Sequence, residues 1–128
     1  MFNGSRRAGN YYRKQQRRSS PFFLEVADTP QKARIGLSGR NYLAESSGML
    51  FMSKELRDIQ MWMLNTLIPL DMLFFDELGK IVYIHQNAKP NDLTIISSGQ
   101  KVRGVIELNG GLARKKNIKA GNQIYFLD

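Results

Sequence analysis

Short apolar runs, separated by clusters of Gly, Asn, Asp, Ser and Pro, dominate the chain from residue 21 onward. Runs of this length bounded by turn formers read as strands. Phe22-Phe23-Leu24-Glu25-Val26 predicts a first strand ending at Asp28, and Gly48-Met49-Leu50-Phe51-Met52 a second. Further strands are expected at Ile59 to Leu64, Leu93 to Ser97, Val102 to Leu108 and Gln123 to Leu127. The sharpest local unit is Leu70 to Ile84, where two apolar runs flank Asp76-Glu77-Leu78-Gly79; a turn with glycine at a position of positive φ makes this a β-hairpin.

Helical signals are few. Thr29-Pro30 supplies an N-cap residue followed by proline at the first helical position, and Gly36 can close a turn or two after Arg34. A second short helix is expected near Gly111 to Lys116, with Gly121 as the turn before the last strand. Many short strands, two peripheral helices and no βαβ alternation predict a mostly β, single-domain fold, a β-sandwich or a barrel-like sheet.

Residues 1–20 break this pattern. They are Gly, Ser, Asn, Gln and Arg with a Tyr11-Tyr12 pair, and show neither strand nor helix periodicity. Arg6, Arg7, Arg13, Lys14, Arg17 and Arg18 precede the first acidic residue, Glu25, so six of the formal +8 charges lie here and the remainder carries +2. The expectation is a basic, flexible arm over 1–20 and a β domain over 21–128.

Composition narrows the chemistry. At 128 residues with 42% apolar content the chain suits one folded domain. With no cysteine and one histidine, His85, it cannot assemble a nitrogen- and sulfur-liganded zinc site, and no Asp-rich calcium loop or other cofactor motif is present. The basic N-terminus lacks the apolar stretch of a secretory signal, and the longest apolar run, Leu67 to Phe75, is interrupted by Pro69 and Asp71. The expected location is cytoplasmic or within a particle, with no disulfide and no membrane partner.

Three stretches together carry a family resemblance: Glu25 to Pro30 leading to Gly36-Leu37 and Arg40, then Gly48-Met49-Leu50-Phe51, then Trp62-Met63-Leu64-Asn65-Thr66-Leu67-Ile68-Pro69-Leu70-Asp71. The chain resembles the prokaryotic family known as domain of unknown function 192, and the similarity continues through Phe74-Phe75-Asp76, Gly79, Pro90, Val105-Ile106-Glu107-Leu108 and Gly121. The resemblance implies a compact β-sandwich-like fold and no activity. Three positions depart from the family's pattern: Ser38 stands where methionine is usual, Leu64 where lysine is usual, and Asn122 where aspartate is usual.

Asn65, Thr66 and Asp71 beside Trp62, with Arg40, could line a ligand cleft. The same residues could equally satisfy backbone groups where the chain turns before Pro69, with Asp71 paired to Arg40. Glu25, Asp71 and Glu107 are the carboxyl groups that a glycosidase pair would need, but nothing in the sequence fixes their separation. His85 has no nucleophile-elbow context, and Gly110-Gly111 lacks the rest of a phosphate-binding loop. No catalytic residue is assigned.

The arm offers a different chemistry. Arg6, Arg7, Arg13, Lys14, Arg17 and Arg18 interleaved with Tyr11 and Tyr12 could neutralise phosphates and stack on bases. They could also order on an acidic protein assembly, such as a virion or ribonucleoprotein, or simply solubilise the chain. The leading expectation is a non-enzymatic module tethered by its arm. The alternative is a small-ligand or carbohydrate-binding domain, with weak hydrolase activity conceivable, at Trp62 and Asp71.

Overall fold

The computed structural model describes residues 7–13 and 18–127. Seven strands form one sheet: β1 (Arg7–Arg13), β2 (Arg18–Ala27), β3 (Ser47–Arg57), β4 (Leu70–Phe75), β5 (Ile81–Ala88), β6 (Val102–Asn109) and β7 (Gln123–Tyr125), in the spatial order β5-β4-β6-β3-β2-β1-β7. The two ends of that order meet. The Ile124 N–H donates to the Gly79 carbonyl (2.8 Å), the Ile81 N–H to that of Asn122 (2.9 Å), and Lys80 bridges to Gln123. Of the two expected architectures, the barrel-like one is realised, as a single sheet curled until β7 touches the start of β5.

Alternation along the strands sorts side chains into two cores. Inside the barrel lie Leu24 and Val26 of β2, Leu50 of β3, Leu73 and Phe75 of β4, Ile106 and Leu108 of β6 and Ile124 of β7. The helix α2 (Leu112–Lys115) plugs this space with Leu112 and Ala113. Outside, Met49 and Phe51, Met72 and Phe74, and Val105 pack under Leu37, Leu43, Ile59, Met63 and Ile96. Every side chain of β4 is buried, as expected for a strand covered on both faces.

The chain links β2 to β3 in parallel through α1 (Pro30–Ile35), so one βαβ crossover exists where the sequence suggested none. The helix begins as predicted: the Thr29 hydroxyl accepts from the Lys32 N–H (3.1 Å) with Pro30 behind it. It ends at Gly36, whose φ of 52° is left-handed.

Two expected strands are not strands. Between Ile59 and Met63 alternate side chains do turn inward, but these residues cap the outer core and meet the segment around Ile96 in a single bridge, Met61 to Ile96. The periodicity reports one-sided burial, not a ladder.

The basic leader also differs from expectation. Over residues 7–13 it is β1, paired antiparallel with β2 on one side and β7 on the other, and 18–20 open β2. Backbone pairing with sheet edges needs no apolar alternation, which is why composition missed it. Arg6, Lys14 and Arg17 lie outside the described residues.

Asp71 locks the barrel's end. Its side chain is wholly buried and accepts from the N–H groups of Asn87 (2.8 Å), Gly111 (3.0 Å) and Ala113 (2.8 Å), fastening β4 to β5 and to the start of α2. It does not pair with Arg40, which holds Glu25 instead. Removing it strands several backbone donors at once. Asp71→Ala is expected to lower unfolding free energy by about 3 kcal/mol or more, measured as a fall in urea midpoint at unchanged slope.

Candidate functional site

A cross-strand line runs over the outer face of the sheet. Register places Glu25 of β2 opposite Met49 of β3, Met49 opposite Glu107 of β6, Glu107 opposite Met72 of β4, and Met72 opposite His85 of β5. The two carboxyl groups are two strands apart, about 10 Å from the usual strand spacing, with methionine between them. Asp71 points to the opposite face. No facing carboxyl pair of the glycosidase kind is formed by these three.

Glu25 is satisfied by Arg40, whose guanidinium grips both carboxyl oxygens, Nη2 donating to Oε1 at 2.7 Å and Nη1 to Oε2. This hydrogen-bonded pairing holds the Glu25 carboxyl below its ordinary range and raises Arg40. Both groups are partly open to solvent, beside a shallow cavity of about 200 Å³ under α1.

Glu107 is the opposite case. It is 4% exposed, and among the described residues its carboxyl makes no hydrogen bond and no ion pair. Its neighbours on the line are Met49 and Met72, which offer no donor. Loss of hydration alone pushes its pKa up to about 8, so the group is a neutral acid at pH 7.

This carboxyl opens into a pocket of about 300 Å³. One wall is the last turn of α1, from Ala33 to Gly36, with Leu37. The facing wall is the segment Gln60-Met61-Trp62 with Leu64 and Thr66, and Phe51 stands beside Glu107. Gly36 matters for this shape, because a Cβ there would come within 3.3 Å of the Phe51 ring in a backbone conformation that L side chains resist.

Of the residues singled out as a possible cleft, Trp62 and Thr66 line this pocket, whereas Asn65, Asp71 and Arg40 do not. Trp62 is half exposed at the rim. The Thr66 hydroxyl donates to the Leu64 carbonyl (3.2 Å), and the Thr66 carbonyl accepts from the Asn91 N–H. Asn65 acts through its backbone: at φ 54° its carbonyl accepts from the Gly39 N–H (2.9 Å), tying the loop after α1 to the opposite wall. Ser38 reinforces that tie through its hydroxyl.

Two departures from the family's pattern, Ser38 and Leu64, fall at or beside this site, and the third, Asn122, lies in the turn before β7. Leu64, where lysine is usual, lines the pocket, so an apolar side chain stands there in place of a cation. Asn122 caps a turn by accepting from the Lys119 N–H (2.9 Å). His85, at the far end of the line, is half-buried and lies 3.2 Å from the Tyr83 hydroxyl. Among the described residues no cluster of His, Cys, Asp and Glu could hold a metal ion, and no helix is long and apolar enough to cross a membrane.

The comparisons agree with the fold. The family model for domain of unknown function 192, described as Uncharacterized ACR, matches residues 12–126. A crystal structure from Sinorhizobium meliloti 1021, described as a "putative transcription regulator", is 33% identical with a TM-score of 0.92, covering 98% of this chain and 97% of that one. A protein of unknown function from Novosphingobium aromaticivorans DSM 12444 is 30% identical with a TM-score of 0.87, over 92% and 83% of the two chains. No curated protein matches the chain.

The Glu107 carboxyl generates a pH signature. In the folded chain it holds its proton up to about 8, whereas the unfolded chain releases it near 4.5. Its stabilising share is therefore complete below pH 4.5 and drains away as pH rises to about 8, by at most about 5 kcal/mol. Glu107→Gln keeps the shape without the titration. Its melting temperature should exceed that of the parent at pH 9, and the gap between them should shrink steadily toward pH 5 in a scanning-calorimetry series.

Proposed function

The chain belongs to the domain of unknown function 192 family, and we propose that in this member the barrel is a scaffold for a small-molecule site between α1 and the 60–66 segment. One observation carries the reading: a buried carboxyl without a hydrogen-bond or ion-pair partner among the described residues faces a pocket whose other walls mix apolar side chains with Arg34, Gln60 and Thr66. Buried polar groups are normally satisfied inside the protein, and the exceptions ask for a reason outside it. A ligand that engages Glu107 while resting on Trp62 and Phe51 supplies that reason.

The pocket admits a compact molecule or the end of a longer one. Nothing in it resembles a nucleophile with its base, so binding is the activity proposed. Trp62, the sole tryptophan, reports on it directly. A fragment screen should shift Trp62 fluorescence and raise the melting temperature for a small set of compounds. Phe51→Ala and Glu107→Gln should each weaken those hits by tenfold or more. Hits that bind both variants as well as the parent would place them elsewhere and remove the proposal.

The relative described as a "putative transcription regulator" favours a second reading, in which the basic residues of the first twenty engage nucleic acid. Each phosphate contact adds to the salt dependence of binding. On this reading the full chain binds a 20-nucleotide single strand with a steep salt slope, and replacing Arg6, Arg7, Arg13, Lys14, Arg17 and Arg18 with glutamine flattens it. Equal slopes for the two proteins would end the second reading.

A further inference from the structure

We infer that the occupant of the Glu107 pocket is a small organic cation, an alkylammonium or quaternary ammonium group, and that its entry displaces the proton from the Glu107 carboxyl. The inference rests on the pocket being the ligand site proposed above and adds the chemical class of the ligand.

Three features of the walls converge on positive charge. The first is the carboxyl itself, 4% exposed and without a partner among the described residues, which amounts to half of an ion pair. Neutral while the pocket is empty, it becomes a counter-ion when a cation arrives: the O–H bond breaks, the proton leaves to solvent buffer, and the carboxylate faces the ammonium group. The second is aromatic. Phe51 and the half-exposed Trp62 line the same pocket as the carboxyl, and the faces of such rings attract cations, most strongly where water is excluded. Third, the wall from Ala33 to Gly36 is the carbonyl end of α1, which carries partial negative charge.

The other occupants fit less well. An anion could pair with Arg34, the exposed cation among the lining residues, but would meet the carboxyl and the carbonyl end of the helix as well. A neutral molecule could accept a hydrogen bond from Glu107 but would leave the ring faces and the helix end unused. The apolar side chains of Ile35, Met61 and Leu64 suit the methylenes or methyl groups of an organic cation better than a hydrated metal ion.

The charges around Glu107 leave the titration to it. From α1 the pocket receives Arg34, an exposed residue, and Lys32 lies on the helix's other side beside Glu25. Glu25, two strands away on β2, is held by Arg40. His85, two strands away on β5, sits beside Tyr83. On the line itself β3 and β4 contribute only Met49 and Met72, and the 60–66 segment contains no ionisable side chain.

The test compares matched probes on the full chain: choline against its uncharged isostere 3,3-dimethyl-1-butanol, and n-butylammonium against pentanol and pentanoate. Trp62 fluorescence and backbone amide shifts of Phe51 and Glu107 report binding, from pH 6 to pH 9, and calorimetry in two buffers of different ionisation enthalpy counts protons. Both cations should bind at least tenfold more tightly than the alcohols or pentanoate. Their affinity should rise about tenfold per pH unit and level off above about 8, with close to one proton released at pH 6.5. Glu107→Gln should lose tenfold or more in cation affinity at pH 8, abolish the pH dependence and leave pentanol binding unchanged.

Tighter binding of an alcohol or of pentanoate, or cation binding without proton release, would overturn the cation assignment and leave the pocket as a ligand site of another class. No response to either cation at 100 mM would also overturn it. Fragment hits lost in Phe51→Ala would still support the pocket in that case, which separates the two failures.

Discussion

Cover on both faces of β6 is the constraint from which the rest of this structure follows. The strand lies between β3 and β4 in the middle of the sheet, with Ile106 and Leu108 turned into the barrel and Val105 turned to the outer core. Neither side of such a strand is wet. A carboxyl at residue 107 can then reach solvent only through a gap in the outer layer, and the outer layer leaves one between α1 and the 60–66 segment. The fold thereby converts an ordinary glutamate into a still weaker acid, a buried group that among the described residues has no internal partner.

The pocket's walls are fixed by means that have little to do with side-chain chemistry. Gly36 turns the chain out of α1, and the Asn65 backbone receives the Gly39 N–H from the loop that follows. Thr66 in turn accepts from Asn91. The two walls are thus cross-linked through main-chain groups, and the helix, which has no buried residue of its own, is held in place by the segment opposite. Side chains at the pocket can vary while its outline stays.

Much of the fold was legible in the sequence because burial leaves a pattern. The hairpin around Asp76 to Gly79, the cap at Thr29, the strands β2 to β6 and the second helix all lie close to their expected places. The segments at 59–64 and 93–97 misled because one-sided burial produces the same alternation whether a segment pairs or merely caps. β1 escaped notice because backbone hydrogen bonds carry no sequence signature in a run of Gly, Asn, Tyr and Arg. At the site, Trp62 and Thr66 were found as polar and aromatic neighbours in the chain, whereas Glu107 was only one of three candidate carboxyl groups. The available signal was its setting: an acidic residue inside Val105-Ile106-Glu107-Leu108, where apolar neighbours on both sides mark a strand without a wet face. Asp71 had a comparable setting, and its three N–H donors arrive from Asn87, Gly111 and Ala113, too far along the chain for local pattern to foresee.

The seam at β7 bears on how the edges of the sheet are protected. Three residues, Gln123–Tyr125, stand between β1 and the start of β5, and with them in place the two ends of the seven-strand ladder touch at Gly79 to Ile81. Open ladders invite end-to-end stacking of identical molecules, and chains normally blunt them with lysine, proline or bulges. Here the safeguard is closure itself, entrusted to the last few residues of the barrel. That closure reaches Gly79 to Ile81, so among the described residues the outer edge of β5 from Val82 to Ala88 pairs with no further strand.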